Sequence, residues 1–214
     1  MLSWLEQYGY KNIIIIDNAS DYEPLLEFYK TCPYKIIRMD KNYGHRVFYE
    51  HPKFFWKRVF TFYILTDPDL APVEDCPGDF VEQFIRIMLA HHEYHKTGFS
   101  LKIDDLPDDY YLKKEVIQWE SKFYEHDIKD PNFKYKIYEA PLDTTFALTS
   151  PKIYILGGMY KAVRTGTPYQ LRHLPWYITE INQENENYNR TIRSGITNWN
   201  GKFSREEIRQ MLKL

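Results

Sequence analysis

The chain has 214 residues, of which 43% are hydrophobic and 27% charged, with a net charge of −2 at pH 7. This length suits one domain or one large two-layer unit with its own core. The nearly neutral charge, without a run of basic residues, argues against a nucleic-acid-binding protein. Apolar stretches fall short of the roughly 18 residues that span a membrane, and the N-terminus does not resemble a secretion signal.

Cysteine and aromatic usage narrow the class of protein further. Cys32 and Cys76 lie in polar, turn-like surroundings without metal or redox spacing, which favours reduced thiols and a cytoplasmic location.

Aromatic residues make up 17% of the chain and include 19 tyrosines. Tyrosine and tryptophan suit sugar or base binding because they join a stacking face to a polar group. Packing at the edge of a core explains most of them more simply.

The first third of the chain alternates strand and helix patterns. An amphipathic helix ends near Gly9, and the β-branched run from Ile13 to Asp17 predicts a strand covered on both faces. Later elements are a short helix, a strand over 34–40, a polar loop over 41–46, a strand over 61–69, a helix over 77–95, a strand over 98–103, a helix over 110–126, further strand within 135–148, a loop-rich stretch to about 200 and a capped helix over 204–214. This order predicts an α/β sheet whose loops form a site at one edge.

The third strand ends in paired negative charge, Asp67-Pro68-Asp69. In open α/β sheets ligands gather beyond the carboxyl ends of the strands, where Asp17 also falls. Carboxylates held in such a turn suit Mg²⁺ or Mn²⁺, ions that keep some waters and take further ligands from substrate phosphates. An ordinary surface turn that caps the following helix explains the same three residues equally well.

Several segments in this order resemble a known family. They are IIIIDNAS, YILTDPD, GFSLKIDDLPD, PLDTTFAL and RTGTPYQLRHLPWY, between about residues 5 and 200. Together they are similar to GT-A-fold glycosyltransferases related to glycosyltransferase family 2, and also to sugar-transferring enzymes of large algal viruses. The resemblance implies a single-domain α/β fold of the GT-A type, a Rossmann-like, mixed but mostly parallel sheet flanked by helices. It would cover 1–203, with a nucleotide-binding part at about 1–70 and an acceptor and catalytic part at about 98–200.

The resemblance also implies a metal-dependent transfer of a sugar from a nucleotide-diphosphate sugar, such as UDP-glucose, to a glycan acceptor. The residues that match the nucleotide and donor site of the family are Asp17, Asn18, Asn42, Gly44, His45 and Asp67. The residues that match its Mn²⁺ or Mg²⁺ site are Asp69, Asp67 and His173. Imidazole suits Mn²⁺ better than Mg²⁺, which favours the metal role for His173 over its alternative, packing beside Trp176. Arg164 and Arg172 are candidates for diphosphate contacts, because guanidinium groups match phosphate geometry.

Sugar transfer with inversion needs a carboxylate that takes the proton of the acceptor hydroxyl as it attacks. Asp143 is the preferred base, because it follows an apolar segment and lies between the Asp-Pro-Asp turn and the late histidine. Asp104 and Asp105 suit contacts to sugar hydroxyls instead. Trp119 and Glu120 are further acceptor candidates, since Trp119 offers a stacking face.

The start of the chain departs from the family, which normally opens with an additional strand of the nucleotide pocket. This departure predicts weaker nucleotide binding and an open sheet edge, hence a monomer or weak dimer. Two other functions stay open: a sugar nucleotidyltransferase, and a non-catalytic glycan-binding or docking module. His91 and His95 share a helix face at i, i+4, but they lack the HExxH pattern of zinc proteases.

Overall fold

The computed structural model describes residues 1–153 and 161–177. Its helices are α1 (Leu2–Gln7), α2 (Glu23–Thr31), α3 (Val47–Glu50), α4 (Phe55–Phe60), α5 (Phe80–Ala90) and α6 (Lys113–Glu120), with 3₁₀ turns at Pro52–Phe54, Ser121–Tyr124 and Leu174–Tyr177. Its strands are β1 (Ile14–Asp17), β2 (Lys35–Arg38), β3 (Tyr63–Leu65), β4 (Leu70–Pro72), β5 (Lys96–Leu101), β6 (Asp127–Ile128), β7 (Ile137–Glu139), β8 (Ala147–Thr149) and β9 (Val163–His173). The predicted helix over 204–214 lies outside the described residues.

The strands form two sheets in a mixed α/β architecture. β1 and β2 pair in parallel, and the larger, seven-stranded sheet has the order β3-β8-β5-β9-β7-β6, with β4 beside β9. Among the described strands of the larger sheet only β5 and β9 pair in parallel, and the other pairings are antiparallel. The expected mostly parallel sheet is therefore wrong. Strand–helix alternation stops after α6, and strands joined without a crossover helix can pair antiparallel.

A second correction concerns the predicted loop-rich stretch after residue 148. It contains β9, an 11-residue strand that pairs with β4, β5 and β7. Gly166 and Pro168 made this segment resemble a loop, since both are rare inside central strands. The structure accommodates them in a bulge: the β9 partner changes from Thr165, opposite Phe99, to Gln170, opposite Ser100.

Helix α5 packs on β5 through aromatic side chains. Phe80 and Phe84 lie one turn apart, so they share the face that meets the sheet. Their ring centroids are 5.3 and 5.0 Å from that of Phe99, which is fully buried, and Phe146 of the segment before β8 lies 5.3 Å from Phe99. This cluster fixes the centre of the large sheet below the loops that carry the acidic residues.

A separate apolar cluster joins the small sheet to the large one. Phe48 and Phe54 are buried in it, and Ile16, Ile37 and Tyr63 pack against them. The end of β1 is thereby held close to β3. No described helix is long and apolar enough to cross a bilayer.

The close approach of β5 and β8 yields a stability prediction. A Cβ on Gly98 would lie 2.4 Å from the Phe146 carbonyl oxygen and 2.6 Å from the Ala147 Cβ. We expect Gly98→Ala to lower the free energy of unfolding by about 1–3 kcal/mol or more, because backbone must move to relieve the clash. Urea denaturation measures this change. Gly166→Ala is the matched control, because its Cβ would lie 3.0 Å from the Lys136 carbonyl oxygen, and it should lower the free energy of unfolding by less. Equal stability of Gly98→Ala and the native chain would contradict the packing.

Candidate functional site

The ends of β3, β4, β8 and β9 meet at one edge of the large sheet. β3 and β8 are antiparallel with Leu65 opposite Ala147, so the residues after β3 lie beside those before β8. The Thr144 hydroxyl accordingly donates to Asp67 Oδ2 at 2.5 Å. β4 and β9 are also antiparallel, which brings Asp69 beside the end of β9. Two non-local pairings therefore assemble the site.

His173 faces Asp69 directly. Leu70 pairs with His173, the Leu174 amide donates to the Asp69 carbonyl oxygen at 2.8 Å, and His173 Nε2 lies 3.2 Å from Asp69 Oδ2. The imidazole also packs edge-on against Trp176, with ring centroids 4.7 Å apart. Packing beside Trp176 and contact with Asp69 are thus compatible roles of the same side chain.

The remaining polar atoms of this pair are suited to a ligand. Asp69 Oδ1 and His173 Nδ1 are buried without a protein hydrogen-bond partner, and native proteins rarely leave such atoms unsatisfied. The other polar atoms of the two side chains, His173 Nε2 and Asp69 Oδ2, contact each other at 3.2 Å, which is about the 3.0 Å that separates adjacent ligands of an octahedral ion bound at about 2.1 Å. Among residues 1–153 and 161–177, no group of three or more His, Cys, Asp or Glu side chains is arranged to hold a metal. The pair therefore fits a divalent ion that takes its other ligands from water or substrate.

Further charges surround the pair. We call Asp67, Asp69, Glu120 and Asp143, with Lys96, Arg164 and His173, the acidic cluster. Arg164 Nη1 lies 3.3 Å from Glu120 Oε2, and both side chains are almost fully buried. The Arg164 guanidinium also donates to the Pro141 carbonyl oxygen at 2.9 and 2.7 Å, just before the loop that carries Asp143. Of the predicted residues, the structure brings together Asp67, Asp69, Glu120, Asp143, Arg164 and His173.

Neighbouring carboxylates in the acidic cluster titrate differently. Burial raises the pKa of Asp67 to about 6, and the charges of Asp69 and Asp143 add to the rise, although the Thr144 hydrogen bond and His173 oppose it. Burial also raises the pKa of Glu120. Asp143 has the opposite balance: desolvation raises its pKa, but hydrogen bonds from Thr145 and the charges of Arg164 and Lys96 outweigh it, so the pKa is lowered. Asp143 is therefore ionised at neutral pH.

Lys96 is a member of the acidic cluster that was not predicted from the sequence. It is buried on β5, and its amine donates to the carbonyl oxygens of Leu142, at 2.9 Å, and of Asp143. Thr144 and Thr145, which bind Asp67 and Asp143, were missed as well. Their position beside Asp143 was a usable signal, whereas Lys96 becomes a neighbour only through the pairing of β5 with β8.

The predicted nucleotide residues form a second group at the end of β1. Asn18 Nδ2 donates to the Gly44 carbonyl oxygen at 2.8 Å, and the Gly44 amide donates to Asn42 Oδ1 at 2.8 Å. Gly44 has a φ of +86°, which favours glycine there. Asp17 is occupied differently, because its carboxylate accepts from Arg38 Nε at 2.9 Å and from the Ser20 amide at 3.2 Å. The first three residues form a loop, whereas Asp17 holds β1 to β2.

Other predicted residues lie apart from the acidic cluster. Arg172 binds Asp105 and Glu74, since it points to the face of β9 opposite His173. Tyr177 also donates to Asp105. The remaining residues of this kind are Asp104, which pairs with Lys102; Trp119, which packs with Phe123 and Lys122; and His45, which is exposed. The expectation that His91 and His95 share a helix face is wrong, because α5 ends at Ala90, and His91 contacts Asp130 instead.

Lys96 gives the site a measurable pH dependence. Burial lowers its pKa from 10.5 to about 8, so between these values the unfolded chain binds a proton that the folded chain does not. The free energy of unfolding therefore decreases as the pH falls. The buried amine lowers it by about 3 kcal/mol below pH 8 and leaves it unchanged above pH 10.5. We expect the free energy of unfolding of the native chain to rise relative to Lys96→Met between these pH values. Urea denaturation across this range measures the difference, and a constant difference would contradict the buried amine.

No family model, curated protein or solved structure matches this chain. The functional assignment therefore rests on the residues and their geometry.

Proposed function

We propose that this protein is a metal-dependent glycosyltransferase that moves a sugar from a UDP-sugar to a glycan acceptor with inversion. The observation that carries the proposal is the Asp69–His173 pair, with its two unpartnered buried atoms, beside a set of carboxylates. Asp69 is the last residue of an Asp-x-Asp turn, Asp67-Pro68-Asp69, at the end of a strand, as the resemblance to GT-A enzymes requires.

Asp69 and His173 are the residues that would hold Mn²⁺ or Mg²⁺. The ion would supply positive charge that stabilises a departing diphosphate. Arg164, although paired with Glu120, adds a fixed positive charge at the same edge. The Asn18–Asn42–Gly44 loop offers backbone and amide groups for the nucleotide, and a recess lined by Tyr43, Val47, Glu50, His51 and Pro52 adjoins it.

Asp143 is the base in this proposal. It is exposed to solvent, so an acceptor hydroxyl can reach it, and it is ionised at neutral pH. The Thr145 hydroxyl and amide donate to Asp143 Oδ1 at 2.8 and 3.1 Å and leave Oδ2 for the acceptor. Lys96 holds the backbone of Leu142 and Asp143 from below. The low pKa of Asp143 makes it a weak base. Transfer therefore requires that the acceptor hydroxyl attacks while the diphosphate departs.

Replacement of the carboxylate tests the donor site. We expect Asp69→Asn to weaken Mn²⁺-dependent UDP binding by at least about 100-fold, because loss of even an outer-shell partner of a metal ligand costs about 10- to 100-fold. Calorimetric titration of UDP with and without Mn²⁺ measures this. Asp104→Asn is the matched control, since Asp104 is exposed and pairs with Lys102, and it should bind normally. Unchanged Mn²⁺-dependent binding by Asp69→Asn would overturn the assignment.

Replacement of the base separates transfer from binding. We expect Asp143→Asn to bind UDP-sugar as the native chain does but to release UDP about 10²- to 10⁴-fold more slowly with acceptor present, the usual contribution of a general base. Native-like turnover in this variant would remove Asp143 as the base. Incorporation of labelled pyrophosphate into the nucleotide sugar, in place of UDP release, would support a nucleotidyltransferase instead.

A further inference from the structure

Exposed aromatic residues are concentrated in one short segment. Phe55, Trp56, Phe60 and Phe62 lie within residues 55–62 and are 47, 67, 69 and 61% exposed. Single exposed apolar residues are ordinary, but a contiguous set marks an interaction surface. We call these four side chains, with Lys53 and Lys57, the aromatic patch.

The aromatic patch is held rigidly by buried neighbours. Phe54 is 1% exposed, and the buried Arg58 guanidinium donates to the carbonyl oxygens of Phe48 and His51 at 2.6 and 3.1 Å. The rings of Trp56 and Phe60 stack on each other, with centroids 5.3 Å apart and planes at 21°. Phe55, Trp56 and Phe60 therefore belong to a packed helix, with Phe62 two residues beyond its end, and the surface is already formed before any partner binds.

The charge of this segment has one sign. Between residues 51 and 62 the chain contains Lys53, Lys57 and Arg58 and no aspartate or glutamate. The preceding acidic residue, Glu50, pairs with Arg46 at 3.1 Å. A patch of apolar rings with only positive charge is thus present on a chain whose net charge is −2.

We propose that the aromatic patch docks this protein on an anionic phospholipid surface. Phenylalanine and tryptophan rings enter the boundary between headgroups and acyl chains, while lysine side chains reach the anionic headgroups. A second copy of this chain is a poorer partner, because a two-fold contact would bring the same lysines together without an acidic residue of the patch to balance them. The proposal does not depend on glycosyl transfer.

Co-sedimentation with lipid vesicles tests the docking surface. We expect the native chain to bind vesicles of phosphatidylcholine with phosphatidylserine, to bind pure phosphatidylcholine weakly, and to be released by salt. Lys53→Gln with Lys57→Gln should weaken binding about 25-fold, at about fivefold per lysine. Trp56→Ser with Phe60→Ser should weaken it by at least tenfold, since about 0.8 kcal/mol accompanies each buried methylene.

Leu89→Ser is the matched control, because Leu89 is 64% exposed on α5 and outside the patch, and it should bind as the native chain does. Thermal unfolding checks that each variant folds, and the lysine variant tests the proposal even if the aromatic one does not fold. Absence of vesicle binding, or equal loss in Leu89→Ser, would overturn the proposal. The proposal would also be overturned if the chain forms a dimer, or binds a single-stranded oligonucleotide, in place of vesicle binding, and if this association is lost in Trp56→Ser with Phe60→Ser.

Discussion

The antiparallel pairing of β4 with β9 is the constraint on which the site depends. Asp69 and His173 are 104 positions apart in the sequence, and only this pairing, with Leu70 opposite His173, brings them together. Because side chains alternate along a strand, a register shift of one residue would turn the imidazole to the other face. The bulge between Thr165 and Gln170 sets the register of the second half of β9. This irregularity therefore determines which side chain at the end of β9 faces Asp69.

Charge balance decides what the assembled site can do. Four carboxylates in the acidic cluster face two cationic side chains, Arg164 and Lys96, and burial lowers the pKa of Lys96 to about 8. Asp67 responds with a raised pKa, whereas Asp143 keeps its charge because Thr145 and both cations support it. The two aspartates therefore take up protons at different pH values, and the charge of Asp143 contributes to the raised pKa of Asp67. The acidic cluster has more carboxylates than cationic side chains, and a cation beside Asp69 would compensate the excess negative charge.

Local sequence patterns predicted local structure well. The β-branched run correctly predicted β1, although its isoleucines are only partly buried in a two-stranded sheet and not covered on both faces, and the helical spacing of Phe80 and Phe84 correctly predicted α5. They failed at β9, where Gly166 and Pro168 have the chemistry of a turn and only partners distant in sequence make the segment a strand. The site was predicted only in part, because the sequence does not reveal contacts between distant segments. Carboxylates in the loops after strands could be identified. The placement of Arg172 on the face of β9 opposite His173, and of Lys96 below Asp143, depends on the pairing of strands.

The central claim is that Asp69 and His173 hold a divalent ion together with a nucleotide diphosphate. Anomalous diffraction from a crystal of this protein grown with Mn²⁺ and UDP tests it most directly. The account predicts a manganese peak in contact with Asp69 and His173 and with diphosphate oxygens. Bound UDP with manganese elsewhere, or with His173 still in contact with Asp69 and no ion between them, would contradict it.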